Sequence, residues 1–387
     1  MAHTALYGGT VYEKKGGADL VGGTVYKKDH GKVLVGGTEY EVGFGLNLEV
    51  PEGMYLTFSS ANPFTIAVNN TTKNWDGALY YSTDAAEWSE WDGTTAIASA
   101  TDNGEQRLYM CGAGNSVIAG SSSNKKWVIK GNNITCSGNI ECLLDYEIVA
   151  NGGHPAMANY CYASMFSGCT GLTTAPSLPA TTLADYCYNA MFRGCTSLTT
   201  APNLPAATLV KSCYASMFSG CTGLTSVPSL PATTLATGCC NSMFYGCTSL
   251  TTAPSLPATT LATTCYNAMF RGCTSLTTAP SLPATTLADY CYGNIFYGCT
   301  GLTSVPSLPA TTLATGCYNS MFRNCTKIKL SSAATETYTL AYRIPYSGTG
   351  TTVSDALYNM FSSTGGTFTG TPEINTTYYL DSSNTIV

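Results

Sequence analysis

Cys187-Tyr188-Asn189-Ala190-Met191-Phe192-Arg193-Gly194-Cys195-Thr196-Ser197-Leu198-Thr199-Thr200-Ala201-Pro202-Asn203-Leu204-Pro205 is one copy of a unit that recurs through the middle of the chain. Its phenylalanine has counterparts at Phe166, Phe218, Phe244, Phe270, Phe296 and Phe322, each 26 residues from the next. One such unit cannot bury its own apolar side chains, so a fixed period of this length calls for neighbours that stack and share a core. Within the unit, Leu183, Cys187, Met191 and Cys195 are four apart, which predicts an apolar stripe on a short helix or helical turn. Gly194, free to take positive φ, ends it. Leu198 to Pro205 reads as extended, because each proline biases its predecessor away from helix. Its β-bonding must be short, since proline has no N–H to donate. Wide helical legs beside narrow strand legs predict a stack that curves with the strands on its concave side.

The Met-Phe-x-Gly-Cys-Thr core and the following Leu-Pro resemble the BspA-like, or Treponema pallidum-type, leucine-rich repeat family. That resemblance implies a leucine-rich-repeat solenoid of α/β coils over residues 151–330, in seven repeats of 26 residues plus caps. The units are longer than the family's usual coil, so a bulged or irregular strand is expected. Residues 331–387 are expected to cap the stack: Tyr358-Asn359-Met360-Phe361 echoes the unit, with Ala356 and Thr364 where cysteines would stand. His154 to Tyr160 is the expected lead-in turn.

Residues 46–150 have another texture. Tyr55 to Phe58, Phe64 to Val68, Ala78 to Tyr81, Arg107 to Met110 and Trp127 to Ile129 are short β runs between Asn-, Gly- and Asp-rich turns, which predicts an all-β, sandwich-like domain. In residues 1–45, Gly-Gly-Thr-x-Tyr recurs at Gly8, Gly22 and Gly36, 14 residues apart, as β-ribbon repeats. Ribbons this small bury too little to stand alone, so they are expected to anchor on a partner or on copies of themselves, making a homo-oligomer.

Composition narrows the function. Only 10% of the 387 residues are charged and the formal net charge is −6, so there is no basic stripe to neutralise phosphates and no nucleic-acid partner is expected. No apolar run approaches a spanning helix, and membrane insertion is not expected. The start, Met1-Ala2-His3-Thr4, lacks an export signal, which predicts synthesis and folding in the cytoplasm, where the 18 cysteines stay reduced. Fourteen of them form two rows of seven, Cys161 to Cys317 and Cys169 to Cys325, each in steps of 26. Metal binding or cross-linking is one reading. Small buried hydrophobes at tight contacts is the other, favoured because a gap of eight residues within each unit is no zinc spacing and histidine is scarce. Cys240, at a position otherwise held by tyrosine, is the expected exposed thiol. No metal or cofactor is expected.

Enzyme chemistry has little to stand on: no nucleophile elbow, phosphate loop or zinc-protease motif occurs. The carboxylates Asp84, Glu87, Glu90 and Asp92 read as a solvated turn around Trp88 and Trp91 rather than a hydrolytic pair. Trp88 and Trp91 are candidate glycan-stacking residues, with burial in the sandwich core as the alternative. The position after each phenylalanine varies while its neighbours do not: Ser167, Arg193, Ser219, Tyr245, Arg271, Tyr297 and Arg323. That is either simple exposure or a contact strip of Arg193, Tyr245, Arg271, Tyr297 and Arg323, residue types that anchor interfaces. The hydroxyl row Thr174, Thr200, Ser226, Thr252 and Thr278 is the rival surface.

The ribbon, β-module and repeat order together resembles structural proteins of phages and prophages of gut bacteria. This implies a non-enzymatic virion component, a tail fibre, baseplate or head decoration. Its N-terminal ribbons would contact other virion proteins, and its repeats would meet host-surface or mucosal glycans or proteins. A bacterial cell-surface adhesin is the other expectation.

Overall fold

In the computed structural model, residues 48–69, 73–120 and 125–387 are described, with the backbone of four short strands before residue 48. β1 (Thr4–Tyr7) pairs antiparallel with β2 (Thr10–Glu13), and β3 (Gly31–Val35) with β4 (Thr38–Val42). The ribbon around Gly22 and the anchoring role expected of residues 1–45 lie outside the described residues.

Residues 56–137 form β5 (Leu56–Ser60), β6 (Thr65–Val68), β7 (Ala78–Ser82), β8 (Ser89–Glu90), β9 (Ile97–Ala98), β10 (Ala100–Asp102), β11 (Glu105–Ala113), β12 (Trp127–Lys130) and β13 (Thr135–Ser137). One sheet runs β13-β5-β11-β7-β8 with β10 also on β11; a second runs β12-β6-β9. Alternation puts Leu56 and Phe58 on one face of the first sheet, where they share a core with Ile66, Trp127 and Ile129 of the second. The other face, carrying Tyr109 and Cys111, packs Trp88 and α1 (Cys142–Ala150), a helical segment interrupted by the extended Asp145. Among the described residues strands far outnumber helices, and no sheet closes into a barrel.

From residue 160 onward, successive units lie on one another in register. The leg expected to be helical is not. Alternate residues donate back three positions, as Cys187 to Ala184, Asn189 to Tyr186, Met191 to Tyr188 and Arg193 to Ala190; those between donate to the next unit, as Tyr188 to Cys213, Ala190 to Ala215 and Phe192 to Met217. The leg is therefore a chain of four-residue turns. Every fourth residue has positive φ: Tyr186 (60°), Ala190 (52°) and Gly194 (72°). A period of four that looked like one helix face arises from turns whose first two residues, Cys187-Tyr188 and then Met191-Phe192, point inward. All peptide groups named here are bonded, so the buried leg needs no helix to satisfy its backbone.

This leg carries the principal ladder between units. The proline-rich leg contributes isolated parallel bridges such as Thr200 to Ser226 and Thr208 to Thr234, as the missing proline donors require. With no helical leg to widen one side, the reason for expecting curvature falls away.

Inside, like residues form columns. The rings from Phe166 to Phe322, continuing to Phe361, stack at 5.4–6.0 Å between centroids and within 15° of parallel. Tyr162, Tyr188 and Tyr214 form a second column, broken at Cys240 and resumed at Tyr266, Tyr292 and Tyr318. Thiols of the second cysteine row donate across units: Cys195 to Phe166 O at 3.1 Å, Cys221 to Phe192 O at 3.0 Å, Cys325 to Phe296 O at 2.9 Å.

Both ends of the ladder are covered. The β-region covers the first unit: Ile118 and Ala119 donate to Cys161, Trp127 to Met165 and Ile134 to Gly171. Its aromatic core runs into the column, with Trp127 edge-on to Phe166 at 5.9 Å. At the other end, Ala356 accepts from Tyr318 and Met360 from Phe322, placing residues 356–361 as a further layer. That layer's own outward donors are taken by residues close behind: Phe361 N–H by Gly370 O and Asn359 N–H by Thr371 Oγ1. β14 (Ser304–Val305), β15 (Leu330–Ser331), β16 (Tyr338–Arg343), β17 (Thr377–Asp381) and β18 (Thr385–Ile386) complete this end. β17 lies between β15 and β16, and β18 returns to pair in parallel with β14. Asn384, 3% exposed, donates to Thr303 O and Lys327 O and accepts from Lys329 N–H, holding two units together.

Candidate binding face

The four-residue turns decide which side chains leave the stack. Each turn sends its third residue outward, so the residue after every phenylalanine forms a column on the surface. Tyr245, Arg271, Tyr297 and Arg323 fall in successive units and interleave. The Arg271 guanidinium lies over the Tyr245 ring at 5.7 Å and the Tyr297 ring at 4.2 Å, and Arg323 lies over Tyr297 at 5.6 Å. Arg193, the fifth strip residue, is exposed but stands apart, with Ser219 between it and Tyr245.

This alternation has a physical basis. A guanidinium over the negative face of an aromatic ring gains about 0.5–1 kcal/mol at exposed sites, and a ring on each side of Arg271 limits how far it can swing. Among the described residues, Arg193, Arg271 and Arg323 have no carboxylate partner. Tyr245 remains 42% exposed. The ladder offers partly exposed planar cations, with Arg323 Nε turned inward, separated by aromatic rings.

The third residue of the preceding turn forms a neighbouring column. Asn189, Asn241, Asn267 and Asn319 occupy it, all partly exposed. The sequence reading missed this column, though the same four-residue offset that marked the cysteines leads to it. It also missed Tyr160 and Tyr186, stacked at 4.6 Å, with the Lys211 ammonium 5.5 Å from the Tyr186 ring. Variation at that position, from Tyr160 through Ser212 and Gly238 to Tyr290, was the available signal.

Other candidates are relocated. Trp88 and Trp91 are each 2% exposed and cannot lay a face on a sugar. Trp91 packs between Trp75 and Trp127 and donates to Thr95 O at 2.8 Å, while Trp88 packs on Tyr55. Cys240 is fully buried rather than the exposed thiol, because the position it takes from tyrosine is an inner column. All 18 cysteines are unpaired and buried. Burial pushes the thiols up at every cysteine but Cys239, to about 12 at Cys187, Cys221, Cys317 and Cys325, while the Cys240 thiol beside Cys239 lowers that one. Asp84 accepts from Ser82 Oγ and from Ala86 and Glu87 N–H, and Asp92 from Thr94; these bonds hold both carboxyls below their ordinary value. They organise turns. The hydroxyl row Thr174, Thr200, Ser226, Thr252 and Thr278 is exposed, and a parallel row, Thr208, Thr234, Thr260 and Thr286, lies further along the same leg.

Among the described residues, no set of His, Cys, Asp and Glu is placed to hold a metal, and no helix is long and apolar enough to cross a membrane. Units stacked through their peptide groups around leucine, phenylalanine and cysteine columns define a leucine-rich repeat protein. The family model of the BspA type leucine rich repeat region, with six copies, matches residues 155–277 and 237–344, and the chain is a BspA-like leucine-rich repeat protein. No match was found among curated proteins or among solved structures.

Proposed function

We propose that the chain is a non-enzymatic attachment protein: a leucine-rich-repeat solenoid, joined to a sandwich-like β-domain, that displays the Tyr245–Arg271–Tyr297–Arg323 face to a host-surface or mucosal target. That face is the observation that carries the reading. It is a regular arrangement, exposed at Tyr245 and partly exposed at Arg271, Tyr297 and Arg323, of residue types that anchor interfaces, set on a backbone held by a hydrogen-bonded ladder, so little ordering is needed on binding. The repeat family, used widely as an interaction module, supports the same reading.

The setting we propose is a phage particle, with the chain as part of a tail fibre, baseplate or head decoration and the N-terminal strands joining other virion proteins or sister copies. The ribbon, β-module and repeat order supports it. The family match supports a second setting, a bacterial cell-surface adhesin. Peptide mass spectrometry of purified particles and of washed bacterial surfaces separates them: the chain in particles supports the first, and the chain on cells without particles supports the second. Attachment itself is tested by binding of labelled protein to host cells or mucus. Arg271→Ala should lower it at least tenfold, and unchanged binding would remove this face from the proposal.

A further inference from the structure

The repeat region differs in charge from the rest of the molecule. Residues 161–330 contain six basic side chains (Arg193, Lys211, Arg271, Arg323, Lys327, Lys329) and two acidic ones (Asp185, Asp289), inside a chain of formal net charge −6. Three of the six basic groups lie in the column after phenylalanine. Their partner should therefore carry negative charge.

Geometry narrows the partner further. Along the ladder the members follow one another at 5.7, 4.2 and 5.6 Å, a spacing comparable to one pyranose ring in an extended chain. Aromatic edges and cations alternate, so the positive charge recurs on every second unit. The asparagine column beside it, at Asn267 and Asn319, offers amides that can donate and accept at once. Arginine pairs with two oxygens of one oxyanion through two parallel N–H bonds, and lysine does not reproduce this. An acidic peptide would satisfy the charges but would leave the amides and the regular aromatic spacing without a matching repeat.

We propose that the Tyr245–Arg271–Tyr297–Arg323 ladder, with Asn267 and Asn319 beside it, binds a linear polysaccharide lying along the stack, one sugar per unit, with an oxyanion on alternate sugars. This rests on the attachment reading above and names its ligand class. The oxyanion can be a carboxylate or a sulfate ester, and the probes distinguish the two.

The test is calorimetric titration of the full chain with unsulfated chondroitin oligosaccharides, which carry only a carboxylate on alternate sugars, and with keratan sulfate oligosaccharides of equal length sulfated on alternate sugars, which carry only sulfate esters. Neutral dextran and poly-glutamate are the comparisons. At least one of the two anionic sugars should bind, and the tighter one identifies the oxyanion. Arg271→Ala and Tyr297→Ala should each weaken that binding tenfold or more with unchanged melting temperature. Arg271→Lys should recover only part of the loss, and Arg193→Ala should change it less than twofold. Affinity should fall with added salt.

Failure of both anionic sugars to bind, equal binding of dextran, or tighter binding of poly-glutamate would overturn the assignment. So would Arg193→Ala and Arg271→Ala behaving alike. If host-cell binding depends on Arg271 but survives enzymatic removal of cell-surface polysaccharide, the attachment reading stands and this one falls. If the sugars bind with the stated variant pattern while cells do not, this one stands and the attachment reading falls.

Discussion

Phe244 and Tyr245 are neighbours in sequence with opposite fates, and the pair calibrates the inside and outside of the stack. Phe244 is fully buried between Phe218 and Phe270, so Phe244→Ala should cost about 3–5 kcal/mol in urea unfolding, and Tyr245→Ala under about 1 kcal/mol. Similar losses at both would mean the faces are misassigned. Thr264 is β-branched and held at φ 54°, where the left-handed region costs a non-glycine residue about 1–2 kcal/mol; the equivalent positions Gly238 and Gly316 avoid that cost. Thr264→Gly should raise the melting temperature, offset in part by the freer unfolded chain. A fall would show that the Thr264 side chain contributes more by contact than its backbone loses.

At the scale of the element, the inward columns were legible because a period of 26 residues leaves no other register for Phe166 to Phe322. The leg carrying them was misread. Leu183, Cys187, Met191 and Cys195 are four apart, and a helix face and a chain of four-residue turns repeat at nearly the same interval. Only the positive φ at Tyr186 and Ala190 separates the two, and neither residue announces it as a glycine would. Far-ultraviolet circular dichroism checks the outcome: little α-helical signal is expected, with α1 the sole α-helical segment among the described residues. A strong helical spectrum would contradict the turn leg. The strip was legible as a variable position, but its pairing was not, since only the stack brings Arg271 over Tyr297. Trp88 and Trp91 could not be placed from sequence because their burial depends on strands far along the chain.

Among the described residues one continuous core runs from Leu56 in the β-region through the repeats to Leu380, and the repeat thiols report on that core. A thiol whose value is raised to about 12 in the fold, as at Cys187 or Cys325, stays protonated where the unfolded chain, near about 8.5, has ionised. The folded state then binds more protons. Stability is full below about pH 8.5 and is lost as pH rises through the folded value. In reducing buffer the melting temperature should hold from neutrality to that point and then drop steeply. A flat profile to pH ~11 would argue against buried thiols. In the native state at pH 8 an aromatic disulfide reagent should leave the cysteines untouched, and in denaturant it should titrate all 18.

Because the β-region seals one end of the ladder and residues 356–371 the other, the layers between can be counted like rungs. Each rung in the middle of the stack touches only the rungs above and below, so excising residues 225–250, or repeating them, leaves like surfaces meeting. Such a molecule is a gauge whose reach is set by how many copies of one short text it contains. Its reach can therefore change by whole steps without a new fold having to be found.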